Sequence, residues 1–214
     1  MNDASDWIIF RDVMRRDFTV GSSNVVRDVP SGIKAADFLC FFIYRDVLWP
    51  DAEPKTRPLI AAAMTEMYMS TFIHSTFGSF SSDDGHSMER AVLYGDLLSG
   101  TAAELLLNCR REDLLHDWLL LFQNIHGTLI FGALEEISRL EIYRKQILNA
   151  ILQGIGGGHS SEAASTLQNG LALFDSSDVK DAAYYHIPAE IGELLHREQL
   201  IETDFAVMAG EKDQ

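Results

Sequence analysis

Basic residues are scarce in this chain. Lysine and arginine number 17 against 32 acidic residues, a formal charge of −15. Such a surface repels nucleic-acid phosphates and anionic lipid over most of its area, although a local basic pocket stays open to it. Cysteine is nearly absent. Cys40 and Cys109 sit inside apolar runs without metal-ligand spacing, and read as buried thiols in a reducing compartment. No apolar run reaches the roughly 18 residues of a membrane span. The opening residues, Met1 to Asp6, are acidic and polar, unlike a signal peptide. These absences point to the cytoplasm. Several catalytic signatures are also missing: there is no H-E-x-x-H, no G-x-S-x-G and no P-loop. The glycine run from Gly154 to Gly158 follows a helical pattern and lacks the Lys-Ser/Thr of a phosphate cradle.

What is present is helical periodicity. Hydrophobic residues make up 47% of 214 residues, enough for one core in one domain. Apolar positions recur at three and four almost throughout. The spacing predicts helices at 3–18, 31–48, 57–77, 87–109, 112–126, 128–154, 160–174 and 188–202, an all-α fold. Residues 1–50 form the N-terminal helices, 57–181 the core bundle and 188–209 a C-terminal helix. Turn chemistry marks the breaks. Trp49 to Pro54 separates two helices, Pro58 suits a first helical turn, and Gly154 with Gly156 to Gly158 ends another. Leu114 to Leu152 carries the strongest core signal, with Leu115, Trp118, Leu119, Phe122, Ile125, Leu129 and Ile130 on a wide apolar face. Met64, Met67 and Met69 share one helix and read as fillers of core gaps.

Few residues stand out from this background. Gly95-Asp96 lies inside an apolar helix, where a glycine loses about 1 kcal/mol against alanine, so a close helix contact is expected there. One helix earlier comes Ile73-His74-Ser75-Thr76. A single E-x-x-H, Glu193 to His196, lacks the second pair and the further glutamates of a di-iron bundle, and Asp113 with His116 does not supply them. Gly170 to Asp181 ends in Ser177-Asp178-Val179-Lys180-Asp181, where Asp178 and Asp181 could share a helix face. Read alone, that segment is a solvated charged turn.

Together, the Ile-His pair, the Gly-Asp helix and the Gly170 to Asp181 segment resemble the trans-polyprenyl diphosphate synthases. The resemblance covers roughly residues 57–181, with the Gly-Asp helix its best-matched part. In that family the histidine opens an H-D-D-x-x-D motif. Here the six places read His74-Ser75-Thr76-Phe77-Gly78-Ser79. Ser75, Thr76 and Ser79 offer hydroxyls where magnesium needs carboxylates, a poor replacement for a hard cation. Asp83 and Asp84 fall in the following polar loop. The second motif keeps Asp178 and Asp181 as weak candidates. Gly95 follows His74 by 21 residues, with only Arg90 as an arginine between. Catalytic members have a longer interval with an arginine-rich element. Lys55-Thr56-Arg57-Pro58 is too close to His74 to be the family's isopentenyl-diphosphate element.

A shortened chain without the first motif resembles heptaprenyl diphosphate synthase component I, the small subunit of bacterial two-component synthases. The resemblance implies the isoprenoid-synthase fold and no catalytic or metal-ligating residue of the chain's own. It implies a catalytic large subunit as partner, which carries Mg2+ and both substrates, and contact with the growing prenyl chain in the complex. It also implies a product destined for menaquinone side chains, and an interface on the apolar faces of 87–109 and 112–126. A homodimer alone is compatible with it. Two other readings stay open: a stand-alone helical ligand-binding or regulatory protein, and an enzyme using Asp178, Asp181, Asp83 and Asp84.

Overall fold

The computed structural model describes residues 3–20, 35–75, 85–131, 140–155 and 165. Every regular element among them is a helix: α1 (Asp3–Val20), α2 (Ala35–Leu48), α3 (Arg57–Ser75), α4 (Gly85–Asn108), α5 (Glu112–Phe131) and α6 (Leu140–Gly154). No helix among the described residues is long and apolar enough to cross a membrane.

The centre of the bundle is α3, which packs against all five other helices, most extensively against α4. Every residue from Ile60 to Ile73 is buried. A helix buried all round needs its polar groups satisfied from within. Thr65 and Thr71 do this by donating to the carbonyls of Ala61 and Met67, both at 2.8 Å. Ala61, Ala62 and Ala63 keep one turn slim, and Met64, Met67 and Met69 fill the space around it.

The 114–152 stretch, which carries the strongest core signal in the sequence, is only partly buried where it is described. In α5, Leu114 and Trp118 are buried, but Leu119 and Leu120 are 47% and 49% exposed. Hydropathy understates α3 because Thr65, Glu66, Ser70 and Thr71 look polar while they bond inside the bundle. The expected break near residue 127 is also absent, since α5 continues through Gly127 to Phe131. One glycine weakens a helix by only about 1 kcal/mol, too little to end it. The helices expected at 160–174 and 188–202 lie almost wholly outside the described residues.

The α2–α3 connection is tied by Arg57. Its guanidinium donates to the carbonyls of Ala52 (3.0 Å) and Pro50 (2.6 Å) and to Asp46 Oδ1 (3.1 Å). Thr56 accepts the first helical bond, from Ile60 N at 2.9 Å, and so caps α3 with Pro58 in its first turn. Arg57, from the Lys55 to Pro58 element, is thereby spent on a loop.

At the N-terminal end of α1, Trp7, Phe10 and Phe42 form a ring cluster with centroids 4.9–5.6 Å apart. Arg45 lies 4.5 Å above the Phe42 ring and 3.5 Å from Asp6 Oδ2. A fully buried phenylalanine contributes about 1.5–3 kcal/mol, so these rings are the main tie of α1 to the bundle.

Candidate functional site

The seam between α3 and α4 holds the site. Polar residues recur every four positions along α3, at Glu66, Ser70 and His74, so they share one helix face. Each meets a polar residue of α4. Thr101 Oγ1 donates to Glu66 Oε2 at 2.9 Å. Ser70 Oγ and Ser99 Oγ lie 2.6 Å apart. His74 Nε2 lies 3.2 Å from Asp96 Oδ1. The numbers rise along α3 as they fall along α4, so the two helices run antiparallel with a polar ladder between them.

The His74 rung brings together three of the residues singled out in the sequence. An added Cβ on Gly95 would come within 2.6 Å of His74 Nε2 and 2.9 Å of Cε1. The missing side chain of Gly95 is therefore the notch that receives the imidazole. The Phe122 ring of α5 closes the other side, edge-on at 5.9 Å between centroids. Burial lowers the His74 pKa from its ordinary value; the Asp96 carboxylate and a hydrogen bond to the Val92 backbone oppose this. A neutral ring is thus favoured near neutral pH. Asp96 is 66% exposed: it reaches the ring from the solvent side.

The remaining sequence candidates fall elsewhere. Ser75 donates to the Phe72 carbonyl at 2.7 Å, closing the last turn of its own helix. Thr76, Ser79, Asp83, Asp84, Asp178, Asp181, Glu193 and His196 lie outside the described residues. Asp113 pairs with Arg111 at 2.8 Å at the start of α5. Neither cysteine is in a disulfide, and Cys40 is buried and Cys109 half-buried. Among the described residues no group of three or more His, Cys, Asp or Glu side chains is placed to hold a metal ion.

The Glu66 rung was not singled out from the sequence. Its side chain is fully buried, and among the described residues no donor bonds to Oε1. Asp17 of α1 is also buried, and it adds to the rise of the Glu66 carboxyl. The Arg16 guanidinium clasps Asp17 through two bonds of 2.6 and 2.8 Å. Burial first, and then Asp17, push the Glu66 carboxyl well above its ordinary range; Thr101 and Arg16 oppose them only in part. Tyr94 of α4 is held neutral by burial and by the same two acids. The signal that could have exposed this rung is the four-residue spacing of Glu66, Ser70 and His74 inside an otherwise apolar helix. A lone glutamate between methionines gives no hint of the second buried acid on α1.

No protein-family model matches this chain, and neither a curated protein nor a solved structure matches it significantly.

Proposed function

We propose that the chain is the small, non-catalytic subunit of a heteromeric long-chain polyprenyl diphosphate synthase of the heptaprenyl type. The observation that carries the reading is the His74–Gly95–Asp96 rung. The residues at the places of the family's motif histidine and its Gly-Asp pair meet across α3 and α4, and here their contacts join helices. The chain keeps the histidine and the notch, while serine and threonine stand where magnesium ligands would be. In this reading Mg2+ and both diphosphates bind the catalytic partner in the cytoplasm. This chain supplies apolar wall to the product channel and so sets the length of a quinone side-chain precursor.

The exposed side of α4 supports a helical partner. Leu93, Leu97, Gly100 and Leu107 follow steps of four, three and seven, one stripe along the helix. Leu93 and Leu107 are 68% and 50% exposed, and α5 adds Leu119 and Leu120. An added Cβ on Gly100 would meet nothing within 4 Å. Among the described residues no contact explains a glycine there. A second helix approaching closely would.

The test is incorporation of labelled isopentenyl diphosphate into farnesyl diphosphate with magnesium. The chain is assayed alone and mixed with a candidate catalytic subunit from the same organism. Long-chain product from the mixture only is the expected result. Turnover by this chain alone would make it an enzyme in its own right. No turnover in either tube, with no complex on size exclusion, would leave a stand-alone binding protein.

A further inference from the structure

The exposed stripe of α4 also carries charge, and the charge decides which kind of helix can lie on it. Leu93 and Leu107 stand seven residues to either side of Gly100, so the three share one face. Asp96 and Glu104 stand four residues to either side, about one turn from the same glycine, and both are exposed. The face is thus built symmetrically around Gly100: a gap at the centre, a carboxylate one turn away on each side, a leucine two turns away. No lysine, arginine or histidine lies between Arg90 and Arg110. Asp96 meets the His74 ring, whose charged form is disfavoured by burial. Arg16 of α1 acts on Glu104, but its guanidinium is bound to Asp17. The face therefore keeps its negative charge.

Such symmetry invites a second copy, since α4 crossing its own twin at Gly100 sets leucines near leucines on both sides. The charges oppose it. Whether the twin runs parallel or antiparallel, a two-fold pairing centred on Gly100 gathers four carboxylates, Asp96 and Glu104 of each copy, within about one turn of the crossing. Like charges set side by side across an interface reject a partner. The net charge of −15 acts in the same direction during encounter. The same positions turn attractive when the other helix carries lysine or arginine one turn to either side of its crossing residue. We infer that this face takes a helix of a different, basic chain, with a small residue against Gly100 and cations opposite Asp96 and Glu104, and that it rejects a second copy of this chain. The inference rests on the reading that α4 docks a helix, and adds the chemistry of that helix.

Two synthetic helical peptides of about 25 residues test it. Both carry alanine at the crossing position and leucine two turns to either side. One has lysine one turn from the alanine on each side. The other has glutamate there, copying the acidic pattern of a second molecule of this chain. Binding to the full chain is measured by fluorescence anisotropy at low and high salt. The lysine peptide is expected to bind about tenfold tighter than the glutamate peptide, by a margin that shrinks as salt screens the pairs. Glu104→Lys should erase that preference, and Gly100→Trp should weaken binding of both peptides; both positions are exposed. Equal binding of the two peptides, no binding of either, or a preference untouched by Glu104→Lys overturns the inference. So does a wild-type dimer in sedimentation that Gly100→Trp abolishes. No catalytic subunit or diphosphate enters this test. A lysine preference without turnover in the mixed synthase assay upholds the docking face while the synthase reading fails; turnover without the preference does the reverse.

Discussion

Two glycines five residues apart on α4 meet opposite surroundings. Gly95 faces the His74 ring, and Gly100 faces open space. Alanine should therefore act in opposite directions. At Gly95 the new methyl must displace a ring pinned by Phe122, an overpacking of about 1–3 kcal/mol against a helix-propensity gain of about 1 kcal/mol. Gly95→Ala should lower stability by about 1 kcal/mol net and break the His74–Asp96 contact. Gly100→Ala meets no atom and should raise the stability of the isolated chain by about 0.5–1 kcal/mol. Urea midpoints of the two variants check both signs. Equal shifts would mean that the notch at Gly95 does not hold the ring. The sequence could flag Gly95 because a glycine inside an apolar helix is anomalous wherever it occurs. It could not separate Gly95 from Gly100, since only the packed neighbour tells a notch from an open face.

At the scale of elements, the α4–α5 turn shows a helix stop made by an unfavoured residue. Arg111 N bonds to Leu106 O at 2.9 Å and Arg110 N to Leu107 O at 3.0 Å, the paired bonds of a Schellman motif. Its left-handed residue is Arg110, at φ 56°, a place where a Cβ is strained and glycine is preferred. Arg110→Gly should stabilise the chain by about 0.5–1 kcal/mol, each 1 kcal/mol raising the melting temperature by about 2–4 °C. A thermal scan that shows no rise, or a fall, would count against strain at that turn. Helix existence was legible from periodicity for every described helix, because burying one face imposes the three-and-four spacing. Helix rank was not. The leucine-rich α5 looked central yet exposes Leu119 and Leu120, whereas α3, dotted with Thr, Ser and Glu, lies in the middle. Hydropathy counts a polar atom as an outward signal even when it is bonded within the bundle.

For the whole molecule, two buried titratable groups tilt stability in opposite directions. Glu66 holds its proton to higher pH in the folded chain than in the unfolded one. The folded state then binds more protons above the ordinary carboxyl value of 4.5, and this contribution falls as pH rises toward the raised value. His74 is the reverse. Its folded pKa lies below the ordinary 6.5, so its contribution is complete above 6.5 and is lost as pH falls through the lowered value. Between the lowered His74 value and 6.5 the His74 slope opposes that of Glu66; toward the alkaline side the raised Cys109 and Tyr94 values add slopes of the same sign as that of Glu66. Urea midpoints measured across pH should therefore decline on the alkaline side in the wild type and less so in Glu66→Gln. His74→Gln should remove the opposing rise and steepen the decline below 6.5. Matching curves for wild type and both variants would show that neither group is perturbed by folding.

Sequence by itself determined the helical class, the spans of α1 to α4 to within a few residues and the unusual character of His74, Gly95 and Asp96. These are local properties: spacing along one chain segment, turn residues and the anomaly of a glycine within an apolar run. The tertiary structure alone decided that α3 outranks the other core helices, that its polar positions form an antiparallel ladder with α4, and that Asp17 and Glu66 are both buried. Asp17 and Glu66 are 49 residues apart in the chain. A buried pair of acids across such a separation leaves no periodic trace in sequence. It exists because α1 packs on α3, and packing, not spacing along the chain, buries both side chains.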